Sequence, residues 1–169
     1  KYFSQAKKNS FSVLSNYILD TLYIWSDLED STLEEALLKL NQLDNRFDNL
    51  KKIQNVFLHC YFDSNKTDFL FNKLISNEKT DFSRYNYFYA RHLDGKGEKI
   101  EARKIIKKAL KKYPRNLILN QYEVNLDLQK NFSDFNCSNK VDIVAELLYI
   151  AANALSSQSY FQTSNFYLN

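Results

Sequence analysis

The sequence predicts an all-α protein, and three observations favour that fold class. The 169 residues include two glycines and one proline, whereas the tight turns of a β-sandwich or barrel usually need many of both. Hydrophobic residues make up 44% and aromatics 15% of the chain, which is too apolar for an intrinsically disordered protein. Apolar residues also recur at helical spacing in one segment after another.

This periodicity predicts a series of helices joined by short polar loops. The expected helices cover 10–29, a segment from Ser31 or Thr32 to about 43, 47–62, 68–75, 82–93, 98–112, 116–128, 141–157 and a last one beginning in "SYFQTSNFYLN".

Helix ends are predicted from residues that satisfy free backbone groups. Ser31 or Thr32 can accept a hydrogen bond from the first free N–H groups of the second helix. Asp81 is expected to cap the fifth helix in the same way. Gly95 and Gly97 are expected to end that helix, because glycine readily adopts positive φ.

The helices recur in pairs when the chain is compared with itself at offsets of 32 and 34 residues. Two antiparallel helices leave one face uncovered, and the next pair can cover it. We therefore predict one domain of units at about 10–46, 47–80, 81–115, 116–140 and 141–169. The aligned positions are Ala36, Leu70 and Ala102, then Ile24, Leu58 and Ala90, then Leu40, Leu74 and Ile106, with Ala152 and Ser164 matching Ala90 and Ala102.

Residues 83–116 resemble the tetratricopeptide repeat family, whose unit has about 34 residues. The resemblance implies a right-handed superhelix of helix pairs. Asn86 replaces the family's first-helix tryptophan, so the match is degenerate. Residues 144–168 resemble the late repeats of exported bacterial proteins, which suggests a bacterial cytoplasm or periplasm. The matching positions in the best unit are Tyr89, Ala90, Leu93, Gly97, Ala102, Ile106, Ala109 and Pro114.

Charge is concentrated in one helix, although the net charge is only +3. The segment from Lys96 to Arg115 holds nine basic residues against Glu98 and Glu101. Its lysines lie opposite an apolar face, as on any solvated helix, and nothing resembling a base-stacking platform accompanies them. We expect nucleic acid not to be a partner, but keep nucleic-acid binding by helix 98–112 as the first alternative function.

Catalytic and metal-binding motifs are not recognisable, so we predict that the chain is not an enzyme and has no cofactor, metal or catalytic residue. The two glycines cannot build a phosphate-binding loop. Cys60 and Cys137 indicate neither a disulfide framework nor a zinc site. His59 and Cys60 point about 100° apart on a helix, and His59 and His92 are interpreted as ordinary helix residues.

A binding groove is the favoured functional interpretation, because a helical-repeat stack lines one concave surface with the first helix of each pair. We expect a non-enzymatic scaffold that binds a protein or peptide segment, with Arg84 and Arg91 clamping a carboxylate beside Tyr87. A helical accessory domain of an enzyme is the second alternative. The nominated partner-binding residues are Asn55, His59, Arg84, Tyr87, Arg91, Gln121, Asn125, Tyr149 and Asn153.

Targeting segments are not visible either. The start of the chain lacks the apolar core of a signal peptide. The longest apolar stretch, 145–155, is about half of the roughly 20 residues that span a bilayer, so no transmembrane segment is predicted. The chain begins without methionine and ends inside an apparent helix, and we expect a fragment of a longer protein.

Overall fold

The computed structural model describes residues 13–127, 135–157 and 161–168, and the regular structure in these ranges is entirely helical. The predicted all-α fold class is confirmed. The predicted helical residues 10–12 and 128 lie outside the described ranges. The helices are α1 Val13–Ser26, α2 Leu33–Asn41, α3 Asp48–Tyr61, α4 Thr67–Ile75, α5 Ser83–Gly95, α6 Lys99–Lys112, α7 Leu117–Asp127, α8 Lys140–Ser157 and α9 Phe161–Leu168, with 3₁₀ turns at Leu28–Asp30 and Asn45–Phe47.

Two compact units divide the chain. The first unit consists of residues 1–58 and 139–169, and the second unit consists of residues 59–138. Helix α3 contributes to both, since the division falls after Leu58. Among the described helices, none is both long enough and apolar enough to cross a lipid bilayer.

The first unit is built by packing α1 against α2 and α8, and α8 against α9. Ile18 of α1 and Leu147 and Ala151 of α8 form a fully buried apolar cluster. A buried polar contact between side chains also lies inside this unit, where the indole Nε1–H of Trp25 donates to Oε1 of Gln54 at 2.7 Å. This bond satisfies the buried indole N–H of Trp25 and the side-chain carbonyl oxygen of Gln54.

Polar side chains satisfy backbone groups at the helix ends and loops of the first unit. Helix α2 begins with a capping box, in which the Thr32 hydroxyl accepts from the Glu35 N–H and the Glu35 carboxylate accepts from the Thr32 N–H. This confirms one of the two predicted caps. The Lys51 ammonium donates to the carbonyl oxygens of Asn41 and Leu43 and to Oδ1 of Asn45 at 2.8–3.1 Å.

The second unit packs α5 against its neighbours α4, α6 and α7, and α6 against α7. The rings of Phe71 and Tyr89 stack at 5.1 Å between α4 and α5. Gly97 has φ of 83° and stands in the turn before α6, as predicted. Gly95 is instead the last residue of α5 and does not have a positive φ.

Asp81 does not cap α5, so that prediction is wrong. The helix begins after Phe82 with no side-chain cap. One carboxylate oxygen of Asp81 accepts instead from the Asn86 amide, and the other accepts from Lys112 at 2.6 Å. Its carbonyl accepts from the Tyr113 hydroxyl at 2.6 Å. The Asp81 side chain therefore links the start of α5 to the end of α6 instead of capping α5.

Burial follows the repeat alignment closely. The Ala90 and Ala102 pair of the second unit is inaccessible to solvent, and its counterparts in the first unit are buried too. There the Ser164 hydroxyl donates to the carbonyl oxygen of Ala152 at 2.8 Å, so α8 and α9 approach closely at the small residues. Among the aligned positions Leu70 is half-buried, and those that are fully buried are Ile24, Ala36, Leu40, Leu58, Leu74, Ala90, Ala102, Ile106, Ala152 and Ser164.

Candidate functional site

The nine nominated groove residues differ in burial and fall in both compact units. In the first unit Asn55 is half-buried, while Tyr149 and Asn153 are exposed. In the second unit His59, Tyr87 and Asn125 are buried, Arg84 and Arg91 are half-buried, and Gln121 is exposed. The buried side chains support a surface rather than form its outermost layer, and partner binding by the nine stays a prediction.

Helices α5 and α7 bring part of this set together. The ring of Tyr87 meets the ring of Tyr122 edge-on at 5.2 Å, and the Arg91 guanidinium lies 5.6 Å from the centre of the Tyr122 ring. On the same helix as Tyr122, the Gln121 amide donates to Oδ1 of Asn125 at 3.1 Å. The two helices therefore carry one continuous group of polar and aromatic side chains.

Both arginines of the predicted clamp are held by neighbours on α5. The Arg91 guanidinium lies 3.6 Å from the carboxylate of Asp94, which also accepts a hydrogen bond from the Tyr122 hydroxyl at 2.9 Å. Burial and this bond raise the pKa of Tyr122, so its hydroxyl stays protonated and remains a donor. Arg84 lies with its guanidinium 5.1 Å from the Phe88 ring.

A cavity of about 340 Å³ opens in the second unit beside Arg91. Its apolar wall includes Phe88 and Phe135, whose rings stack at 3.6 Å. Its polar wall includes His92 and Lys96, and the two cysteines complete it. Of the residues that line the cavity, the sequence had nominated only Arg91 for partner binding.

The two cysteines form a disulfide in the second unit, with their Cα atoms 5.7 Å apart. The bond joins the end of α3 to the segment before α8. The sequence-based conclusion that no disulfide was indicated is therefore wrong for this pair. A separation of 77 residues gives no local signal, because the fold rather than the spacing brings Cys60 and Cys137 together. The even number of cysteines was the one available hint.

His92 lies against the disulfide and is not the ordinary helix residue that the sequence suggested. Its Nδ1 is 3.5 Å from Sγ of Cys60 and 3.8 Å from Sγ of Cys137. Its Nε2 lies 3.1 Å from Oδ1 of Asp68. A carboxylate only accepts, so Nε2 carries the hydrogen, and in the neutral ring the Nδ1 lone pair then faces the sulfurs.

Asp68 and Phe71 both restrict the position of the His92 ring. Burial lowers the pKa of His92, while the Asp68 carboxylate opposes that shift. The Lys96 ammonium donates to the second oxygen of Asp68 at 2.6 Å, which holds the carboxylate in place. The ring of His92 also packs 5.6 Å from that of Phe71. The hydrogen bond to Asp68 at Nε2 therefore fixes the orientation of the imidazole, and Nδ1 on the other side of the ring faces the sulfurs.

Comparison with protein-family models, with curated proteins and with solved structures finds no match to this chain. The resemblance to tetratricopeptide repeats thus rests on the residues themselves. Within the described ranges, two arrangements have the chemistry of a site. One is the polar and aromatic group on α5 and α7, here called the α5–α7 surface. In it Arg84, Arg91 and Gln121 reach solvent, and the buried Tyr122 and Asn125 contact Arg91 and Gln121 from below. The other is the cluster of Cys60, His92 and Cys137.

Proposed function

We propose that the chain is a non-enzymatic scaffold of tetratricopeptide-like helix pairs, arranged as a right-handed superhelix, that binds a segment of another protein. The observation that carries this proposal is the burial of the small residues at the aligned positions. Ala90 and Ala102 in one pair correspond to Ala152 and Ser164 in another, and all four are buried. Repeated close approach of paired helices is what a helical-repeat stack requires.

The α5–α7 surface is the proposed contact region for the partner. Arg84 and Arg91 stand seven residues apart, two turns along α5, so they lie on the same side of the helix. On α7, Gln121 is exposed together with Leu117 and Val124, which follow at helical spacing on one face. Donors beside exposed apolar side chains suit a peptide that offers carboxylates and apolar anchors.

An acidic segment or a free C-terminal carboxylate fits this surface best. Guanidinium groups recognise carboxylates through two parallel N–H donors. Tyr122 and Asp94 already restrict the rotation of Arg91, which reduces the entropy that ordering the side chain would cost on binding. Asp94 also competes for the same donors, so the affinity gained from Arg91 is smaller than that of an arginine with no acidic neighbour.

Nucleic-acid binding by α6 is less well supported. Two of the lysines that would contact phosphate are engaged with carboxylates of the chain, Lys104 with Glu101 and Lys112 with Asp81, each at 2.6 Å. Such pairing lowers the positive charge that the helix presents to a polyanion.

Binding of a peptide library tests the proposal. The purified chain is offered fluorescent peptides rich in Asp and Glu, half with a free C-terminal carboxylate and half amidated. For the tightest binder, the double variant Arg84→Ala, Arg91→Ala should weaken affinity at least about tenfold, since each charge-assisted bond contributes roughly 1.5–3 kcal/mol when desolvated.

The double variant Lys107→Ala, Lys108→Ala is the matched control, because it also removes two positive charges but from exposed positions on α6. Its affinity should equal that of the wild type. Equal losses in both variants would mean non-specific attraction and would overturn the assignment to the α5–α7 surface. Tight, salt-sensitive binding of RNA or DNA that only the lysine variant loses would favour the alternative function.

A further inference from the structure

The cluster of Cys60, His92 and Cys137 has the composition of a metal site. Each residue offers one ligand atom, and the three atoms lie within 4.8 Å of one another. Both cysteines are buried and His92 is half-buried. Two thiolates and one imidazole are a ligand set that zinc uses in proteins. The disulfide is the one feature that prevents the sulfurs from acting as thiolates.

The distances from the imidazole to the sulfurs already fit a tetrahedral zinc ion. Zinc binds sulfur at about 2.3 Å and nitrogen at about 2.0–2.1 Å, so a tetrahedral angle places a sulfur and a nitrogen about 3.6 Å apart. The observed separations from Nδ1 of His92 are 3.5 and 3.8 Å. Two zinc-bound sulfurs lie about 3.8 Å apart by the same geometry. Only the distance between the sulfurs has to change.

The surroundings of His92 match those of a histidine that ligates a metal. Such histidines usually donate their other ring N–H to a carboxylate, which fixes the tautomer and the ring orientation. Asp68 accepts from Nε2 of His92, and it is itself held by Lys96. The lone pair of Nδ1 is thereby directed at the place that the two thiolates would share.

We propose that reduction of the Cys60–Cys137 disulfide converts this cluster into a zinc site with Cys60, Cys137 and His92 as protein ligands. The inference is independent of the proposed scaffold function. A dithiol reductant is oxidised to its own disulfide, or a phosphine takes up the oxygen of water to become a phosphine oxide. Either reaction supplies two electrons and two protons, so the S–S bond of Cys60 and Cys137 breaks and both sulfurs become thiols. Zinc binding then releases these two protons to solvent and changes no oxidation state.

One tetrahedral position remains after three protein ligands have bound. The cavity of about 340 Å³ that all three residues line gives water access to this position. A structural zinc site normally has four protein ligands, whereas three ligands and a solvent molecule form an open site. The reduced site is therefore expected to exchange zinc faster than a closed four-ligand site.

Zinc titration of the oxidised and the reduced chain tests the proposal. Alkylation and mass spectrometry first establish the redox state of the cysteines. After reduction with a phosphine, zinc affinity is measured by competition with a chromophoric chelator, and Co²⁺ serves as a spectroscopic probe. We expect one ion per reduced chain, thiolate-to-cobalt charge transfer with tetrahedral d–d bands, and an affinity about 100-fold or more above that of the oxidised chain.

Variants identify the ligands without relying on the cysteines alone. His92→Gln should lower zinc affinity of the reduced chain at least about tenfold, and Asp68→Asn should lower it about 10–100-fold while preserving the tetrahedral Co²⁺ spectrum. His59→Gln is the matched control, because Nδ1 of His59 lies 2.9 Å from the Ser64 hydroxyl and outside the cluster. Circular dichroism of each variant checks its fold.

Three results would overturn the proposal. They are zinc affinity that is equal in the oxidised and reduced chain, zinc affinity that His92→Gln leaves unchanged, and the absence of zinc binding by a reduced chain whose helical content is native.

Discussion

The two compact units are stabilised by different chemistry. The stability of the first unit depends on side-chain packing. Ile18, Leu147 and Ala151 form an apolar cluster, and small residues let α8 and α9 approach closely. The second unit adds a covalent bond between Cys60 and Cys137 to stacked aromatic rings and ion pairs. Ion pairs occur in both units, for example between Lys39 and Asp27 in the first and between Lys112 and Asp81 in the second. The comparison teaches that the stability of the second unit depends on redox state in addition to packing and charge.

Removing the disulfide should have the largest effect on stability, and it should destabilise the second unit while leaving the first unit unchanged. Closing a loop of 77 residues restricts the unfolded chain by about 4.5 kcal/mol in the chain-entropy model. Reduction should therefore lower the free energy of unfolding of the second unit by roughly 2–4 kcal/mol.

Hydrogen exchange measured on the oxidised and reduced chain checks this prediction. Amides of α5, α6 and α7 should exchange faster after reduction, while those of α8 and α9 keep their rates. A uniform acceleration would mean that the two units unfold together. Added zinc should restore part of the protection in the reduced chain if the cluster binds it.

Overpacking the close helix contacts should have the next largest effect and should be similar in both units. Ala102→Leu introduces a large side chain at a position with no solvent access, which should cost about 1–3 kcal/mol. Ala152→Leu overpacks the same kind of helix contact in the first unit, at the buried position aligned with Ala90. Denaturant titration measures both, with exposed Lys107→Leu as the control. A wild-type midpoint for Ala102→Leu would show that the repeat alignment is wrong.

Loss of the α2 capping box should cost less. Thr32→Ala removes the hydroxyl that accepts from the Glu35 N–H and should destabilise the first unit by about 1 kcal/mol. Glu34→Gln changes a neighbouring residue that takes no part in the capping box and serves as the control. Chemical denaturation followed by the fluorescence of Trp25 reports on this unit. Equal midpoints for Thr32→Ala and wild type would contradict the capping role.

Asp44 should give the smallest effect, visible as a titration rather than as a change in stability. Hydrogen bonds from the Arg46 side chain and backbone lower the pKa of the Asp44 carboxyl to about 2. Because this folded-state pKa is depressed, the pairing favours the folded state above the ordinary pKa of aspartate and is lost as pH falls through about 2. Carbon-13 NMR should show that midpoint, and Arg46→Gln should raise it. An unchanged midpoint in the variant would exclude the pairing as its cause.

Helices were predictable from the sequence because their causes are local. Periodic apolar residues and the cap at Thr32 placed the helices within a few residues of their observed ends. The small residues Ala90 and Ala102 predicted a close helix contact, because close helix approach excludes larger side chains. Asp81 misled the cap prediction because its carboxylate can serve either its own helix or Lys112 31 residues later, and only packing decides between them.

The cysteine–histidine cluster was not predictable for a related reason. Cys60, His92 and Cys137 stand on three separate segments, and no spacing rule connects them. Their meeting depends on how the end of α3 lies against α5 and on the path of the chain before α8. The arginines of α5 were predictable as a pair, but Asp94 and Tyr122, which hold Arg91, were not included because the α5–α7 contact could not be derived from the sequence.

Lys51 has a consequence for chemical labelling. All three donors of its ammonium group point at oxygen acceptors, and its side chain is almost fully buried. An acylating reagent needs the free amine lone pair and a path to it, and the native loop offers neither. Acetylation of Lys51 therefore proceeds only through molecules in which the α2–α3 loop has opened. The rate of Lys51 acetylation thus reports on opening of the first unit. In the same chain, the reactivity of Cys60 and Cys137 reports on the redox state of the second unit.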